Sequence, residues 1–137
     1  MIPEEFREKI STLFITGESP EESPFANLIV ESFPNTFNIY LKALLFQIDI
    51  KKVYNVNVQV TSGGELIVNT DNAYQVQVAE LESNQIYNEF ATTFVIIQTP
   101  AVNVASSRIL KIKVNLKYDN EIVSSLETFV AVVEENA

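Results

Sequence analysis

Apolar and polar residues alternate along much of this chain, most cleanly over residues 109–118. There Leu110, Ile112, Val114, Leu116 and Tyr118 fall on one side, and Lys111, Lys113, Asn115 and Lys117 on the other. Only a β-strand sends successive side chains to opposite faces, so this segment predicts a strand with one dry and one wet face. Residues 53–61 repeat the pattern, with Tyr54, Val56, Val58 and Val60 inward and Asn55, Asn57 and Gln59 outward. Tyr74, Val76 and Val78 alternate with Gln75 and Gln77, and the β-branched run 92–97 predicts a further strand. Residues 36–50 form another segment, apolar on both sides over 42–48, as in a sheet covered on two faces. A helix over 38–46 competes there, but Thr36, Phe37 and Tyr40 favour the strand.

Turn signals separate these runs. Pro34-Asn35, Asp71-Asn72 and Thr99-Pro100 interrupt the pattern, with a loop or edge segment over 100–107. Ser62-Gly63-Gly64-Glu65 predicts a hairpin, because glycine reaches positive φ without steric cost. The returning run, residues 66–69, is short enough to be an edge strand. Residues 80–91 are polar and read as a loop with one helical turn around 86–90.

The last hairpin can be argued to the residue. With Asp119-Asn120-Glu121 as a three-residue loop, Tyr118 faces Ile122, Val114 faces Leu126, Ile112 faces Thr128 and Leu110 faces Val130. Lys113 then faces Glu127 on the wet side. A two-residue loop would set Ile112 against Glu127, so the hydrophobic register selects three. Asn120 or Glu121 would take the left-handed conformation.

The first 24 residues read differently. Pro3-Glu4-Glu5 suits a helix start, Phe6, Ile10, Leu13 and Phe14 follow at helical spacing, and Gly17 can end it. The prediction is a short helix over 3–14 followed by an acidic loop, with Ser19 and Glu22 spaced as a capping box. Seven or eight strands with frequent turns make the remainder, residues 25–137, a β-sandwich. The expected fold is a mainly β, single-domain antiparallel sandwich of Greek-key or meander type with an N-terminal helix.

Composition narrows the chemistry. The chain of 137 residues has no cysteine, no histidine and no tryptophan. Disulfides, thiolate chemistry and the commonest general base and zinc ligand are therefore out of reach. The net charge of −9 is spread along the chain and repels phosphate backbones, which argues against a nucleic-acid partner. No apolar run approaches the ~20 residues a membrane helix needs, so no membrane partner is expected. The acidic start lacks the features of a secretory signal, and a cytoplasmic location is expected.

No constellation of residues points to catalysis. A Ser-Lys pair between Ser106 or Ser107 and Lys111 is conceivable, but two serines in a loop are the plainer reading. Glu80, Glu82, Glu89 and Asp71 are carboxylates in polar loops, where solvation is the expected state. Residues 69–72 offer oxygens to calcium, yet Asx-rich turns arise for conformational reasons. Catalytic residues, cofactor sites and metal ligands are thus all expected to be none. Most aromatics occupy inward positions; Tyr87 and Phe90, in the polar segment, either anchor that loop or form a contact patch.

Residues 94–97, 110–116, 119–121 and 124–132, with Ser32-Phe33-Pro34, residues 37–45 and 54–60 and Gly63-Gly64 before them, resemble small bacterial antiparallel β-sandwich domains of unknown function. The resemblance implies the fold and transfers no site residues. The expected function is a non-enzymatic bacterial or mobile-element protein that contacts a protein partner or forms a homo-oligomer. Leu66, Val68, Tyr87 and Phe90 are its candidate contact residues, because exposed edge strands recruit partners. Two other classes stay open: a carrier holding a small ligand between the sheets near 62–65 and 99–107, and an Asp/Glu-dependent hydrolase.

Overall fold

The computed structural model describes residues 8–16, 27–71, 74–76, 85–87 and 90–135. Its strands are β1 (Lys9–Thr16), β2 (Asn27–Val30), β3 (Asn35–Phe37), β4 (Tyr40–Asp49), β5 (Tyr54–Ser62), β6 (Glu65–Asn69), β7 (Tyr74–Val76), β8 (Gln85–Tyr87), β9 (Phe90–Gln98), β10 (Val102–Val104), β11 (Arg108–Tyr118) and β12 (Glu121–Glu134). They form sheet A, in the order β1-β4-β9-β8, and sheet B, in the order β2-β12-β11-β5-β6 with β7 also on β5. A two-stranded piece, β10-β3, is hydrogen-bonded to neither, and its Val102 and Val104 are buried in the same core. With β2, β3, β6, β7 and β10 set aside, seven strands remain in the order of a constant-type immunoglobulin sandwich. The sandwich is therefore a Greek key, since neighbours such as β4 and β9 are distant in sequence.

The core is where the two inner faces meet. Leu41, Ala43 and Leu45 of β4, and Val95 and Ile97 of β9, line the inner side of sheet A. Val56, Val58 and Val60 of β5, and Leu110, Ile112, Val114 and Leu116 of β11, line that of sheet B. Aliphatic side chains occupy the interior that immunoglobulin domains fill with a disulfide and a tryptophan. Thr99, buried after β9, prolongs the pairing of β9 with β4 in sheet A: its hydroxyl accepts the Ile39 N–H at 2.9 Å and its own N–H donates to the Ile39 carbonyl at 2.9 Å.

Three local expectations are corrected. The predicted helix over 3–14 is strand β1 from Lys9 onward, antiparallel to β4, while residues 1–7 lie outside the described residues. Ser11 is an extra residue in that pairing, so Ile10 and Leu13 reach the core three residues apart. A β-bulge thus imitated helical spacing. Of the predicted helical turn around 86–90, Ile86 and Tyr87 belong to strand β8, with Ile86 opposite Ala91, and Phe90 opens β9; residues 88 and 89 lie outside the described residues. The last hairpin turns on two residues, Asp119 and Asn120, both at positive φ (54° and 65°). Lys117 then faces Ile122 while Leu116 faces Ser124, so Val123 is bulged out. That bulge restores the register demanded by the apolar pattern: Val114 meets Leu126, Ile112 meets Thr128 and Lys113 meets Glu127.

Candidate contact face on sheet B

The outer face of sheet B can be read in rows of directly opposed residues. At one end Ile29 lies opposite Val133, and the next row is Ile109, Ala131 and Asn27. Then come Leu66, Thr61, Lys111 and Phe129, followed by Asn69, Gln59, Lys113 and Glu127. Asn57, Asn115 and Ser125 form the next row, and Gln75, Asn55, Lys117 and Ile122 the last. The face therefore changes from apolar to polar along β11 and β12.

At the apolar end, Ile29 is 68% exposed, Ile109 64% and Phe129 58%. Ala131 and Val133 sit half-buried among them and leave a shallow floor. Lys111 and Glu127 border the patch and pair at 3.5 Å. Glu127 thus reaches diagonally to Lys111 instead of straight across to Lys113.

At the polar end, two asparagines on the solvent side are nearly inaccessible, Asn115 at 3% and Asn57 at 6%. A ladder across four strands explains this. The Ser125 hydroxyl donates to Asn115 Oδ1 (2.5 Å), Asn115 Nδ2 donates to Asn57 Oδ1 (2.8 Å), and Asn57 Nδ2 donates to Asn69 Oδ1 (2.7 Å). The Asp71 N–H also donates to Asn69 Oδ1, at 3.0 Å. Buried amides are tolerated because each satisfies the next, and such chains polarise their members. The ladder floors a concavity of about 410 Å³ whose walls include Gln59, Asp71, Lys113, Lys117 and Ile122.

The four contact candidates named from the sequence belong to two sheets. Leu66 and Val68 lie on β6, at one edge of sheet B; Leu66 is exposed on the outer face opposite Thr61, whereas Val68 packs against the core. Tyr87 ends β8, at the edge of sheet A, and Phe90, half-buried, opens β9 opposite it. Sequence reasoning missed Ile29, Ile109 and Phe129 as a group. Its only signal was that they break alternation on the wet face, and their adjacency depends on the parallel pairing of β2 with β12.

Two other regions bear on chemistry. Where the carrier alternative would hold a ligand between the sheets, Val60, Val102, Val104 and Leu110 are packed, and Arg108 Nη1 donates to Ser62 Oγ at 2.9 Å. Ser106 Oγ receives Arg108 Nη2 at 3.2 Å, and Lys111 is engaged by Glu127, so the conceivable Ser-Lys pair is not assembled. Glu80, Glu82 and Glu89 lie outside the described residues.

At the end of the sandwich where β5 begins, the Tyr54 ring is buried, and its hydroxyl accepts the Asp49 N–H at 2.9 Å. Burial pushes its pKa far above the ordinary tyrosine value, outweighing the Asp49 hydrogen bond that lowers it; the negative groups Glu8 and Asp49 raise it further. Tyr118 packs on Tyr54 with centroids 5.8 Å apart, Lys52 Nζ lies 4.6 Å from the Tyr118 ring centre, and the same ammonium is 3.8 Å from Glu8. These contacts close the core and bring no nucleophile to a base.

No family model and no curated protein matches the sequence. The fold is shared with solved structures. A bacterial adhesin from Mobiluncus mulieris, containing intramolecular disulfide, isopeptide and ester bond cross-links, superposes with a TM-score of 0.67 at 9% identity over 93% of this chain and 57% of its own. A glycosyl hydrolase family 2 member from Bacteroides cellulosilyticus gives a TM-score of 0.58 at 9% identity, over 90% of this chain and 15% of its own. The chain thus spans little more than half of the first and a small part of the second. Both likenesses establish the β-sandwich and nothing more specific.

Proposed function

We propose that this domain is a non-enzymatic protein-contact module, and that the apolar end of sheet B's outer face is its contact surface. One observation carries the reading. Among the described residues, the three most exposed large apolar side chains, Ile29, Ile109 and Phe129, lie on three adjacent strands around Ala131 and Val133. Single exposed apolar residues need no explanation, but a contiguous group with a charged border has the anatomy of an interface. That one structure of this fold is a bacterial adhesin agrees with a contact role; the reading rests on the patch.

The occupant that fits is a second copy of the chain. The patch itself carries no charge and so sets no polarity on a partner. A two-fold axis through Ala131 would lay the same apolar group on itself. Sedimentation over a wide concentration range tests this. The expected result is a dimer that dissociates in the double variant Phe129→Ser, Ile109→Thr. A strict monomer at hundreds of micromolar, or a dimer indifferent to both substitutions, overturns the assignment.

A further inference from the structure

We infer that the polar end of the same face is a binding site for an acidic peptide, holding its carboxylates between Lys113 and Lys117 on the floor of the asparagine ladder. The inference uses different side chains from the apolar patch and stands whether or not the chain self-associates.

Hydrogen-bond capacity shows the polarity of the site. A primary amide carries two N–H groups and one oxygen. Each amide oxygen has two lone pairs: Asn69 Oδ1 fills both, accepting from Asn57 and from the Asp71 N–H, and leaves both its own N–H groups unspent, whereas the oxygens of Asn115 and Asn57 each accept one proton. Asn115 and Asn57 each spend only one N–H on the ladder. What the floor has left over is therefore mainly donors, strengthened by the chain of polarised amides behind them. Such a floor selects a ligand rich in acceptors.

Charge points the same way. Lys113 and Lys117 flank Asn115 on one strand face, and among the described residues neither has an ion-pair partner, because Glu127 is taken by Lys111. About 13 Å apart, the two ammonium groups interact only weakly through water, and they make a cationic spot in a chain whose net charge is −9. Among the described residues, Asp71 is the one carboxylate lining the concavity, and it lies on the β6 side where its N–H is held by Asn69. An incoming carboxylate would meet the Lys113 and Lys117 ammonium groups and the N–H groups of Asn69, which is exposed, in charge-assisted hydrogen bonds.

Shape favours a peptide over other polyanions. Four residues of strand separate Lys113 from Lys117, roughly 13 Å. An extended peptide lying along β11 repeats its side chains at that same interval. Among the described residues no aromatic ring lines the concavity, so they offer a base or a sugar ring no platform to stack on. The volume of about 410 Å³ suits a few side chains of an extended segment.

The test is an NMR titration of the full chain with a hexaglutamate peptide, reading the side-chain NH2 signals of Asn57, Asn69 and Asn115 beside the backbone amides. Hexaglutamate is expected to move those NH2 signals and a hexaglutamine peptide to leave them in place, with binding weakened by added salt. The double variant Lys113→Gln, Lys117→Gln is expected to keep the wild-type spectrum elsewhere and to bind about tenfold more weakly. Asn115→Asp, which places a negative charge in the floor, is expected to abolish binding; should it fail to fold, the lysine variant still decides. Unmoved NH2 signals, equal response to the two peptides, or unchanged affinity in the lysine variant would overturn the inference. Binding of trigalacturonate without hexaglutamate would also overturn it, because the site would then be a saccharide site.

Discussion

The two ends of sheet B's outer face are built on the same strands and solve opposite problems. At one end Ile29, Ile109 and Phe129 project into water, because nothing among the described residues covers them. At the other, Asn57 and Asn115 occupy outward positions and are almost fully withdrawn from water. Exposure here runs against polarity. The difference teaches that on a flat sheet face burial follows partnership: amides that close a hydrogen-bonded chain can be sequestered, and aliphatic groups without a neighbour cannot. The polar end is held by bonds already made, and the apolar end waits for contacts that another surface must supply.

Substitutions can break this contrast in graded steps. The largest effect is expected on the inner side of the same strand. Ile112→Ala should cost about 2–5 kcal/mol in urea unfolding, because Ile112 is fully buried and its removal leaves a cavity. Asn115→Ala should come next, at about 1–3 kcal/mol, since it strands both Asn57 Oδ1 and the Ser125 hydroxyl. If the ladder acts as a unit, adding Asn57→Ala to Asn115→Ala should cost less than the sum of the two; strict additivity would show independent bonds.

Tyr54 extends the comparison to a polar group buried at the end of the core. Its pKa is raised on folding, so above about pH 10 the unfolded chain releases a proton that the folded chain keeps. Stability is therefore intact below that pH and falls as pH rises beyond it. Tyr54→Phe should lose about 0.5–1.5 kcal/mol at neutral pH with the Asp49 bond, yet show a shallower alkaline decline. The residual slope would come from Tyr74, whose pKa burial also raises. An identical alkaline slope in the variant would remove Tyr54 from this account.

The smallest effect on stability belongs to the apolar end. Phe129→Ser should leave the unfolding free energy within about 0.5 kcal/mol of wild type while changing association. A large loss of stability would mean that Phe129 packs within its own chain, and the face would not be a free surface.

Much of the architecture was legible because strand alternation is a local signal. The inward and outward residues of β5 and β11 follow from it, as does the pairing of Val114 with Leu126 and Ile112 with Thr128. It failed where one residue was added: the bulge at Ser11 spaced Ile10 and Leu13 like a helix, and the bulge at Val123 made a two-residue turn look like three. The candidate face was legible only in fragments. Lys111, Lys113 and Asn115 were recognised as a wet face, but nothing near them in sequence indicates Asn57 or Ile29 as neighbours.

The sequence by itself determined which side of the cleanly alternating strands is dry, and hence a β-sandwich with an aliphatic core. It also determined that chemistry requiring cysteine or histidine is closed to this chain. Only the tertiary structure decided which wet faces adjoin. The alternation of a strand states its two sides and says nothing of the strand beside it. Setting Asn115 against Asn57, and Val133 against Ile29, needed pairings between segments far apart along the chain. Both ends of the face exist because the Greek-key order places β2, β12, β11, β5 and β6 side by side.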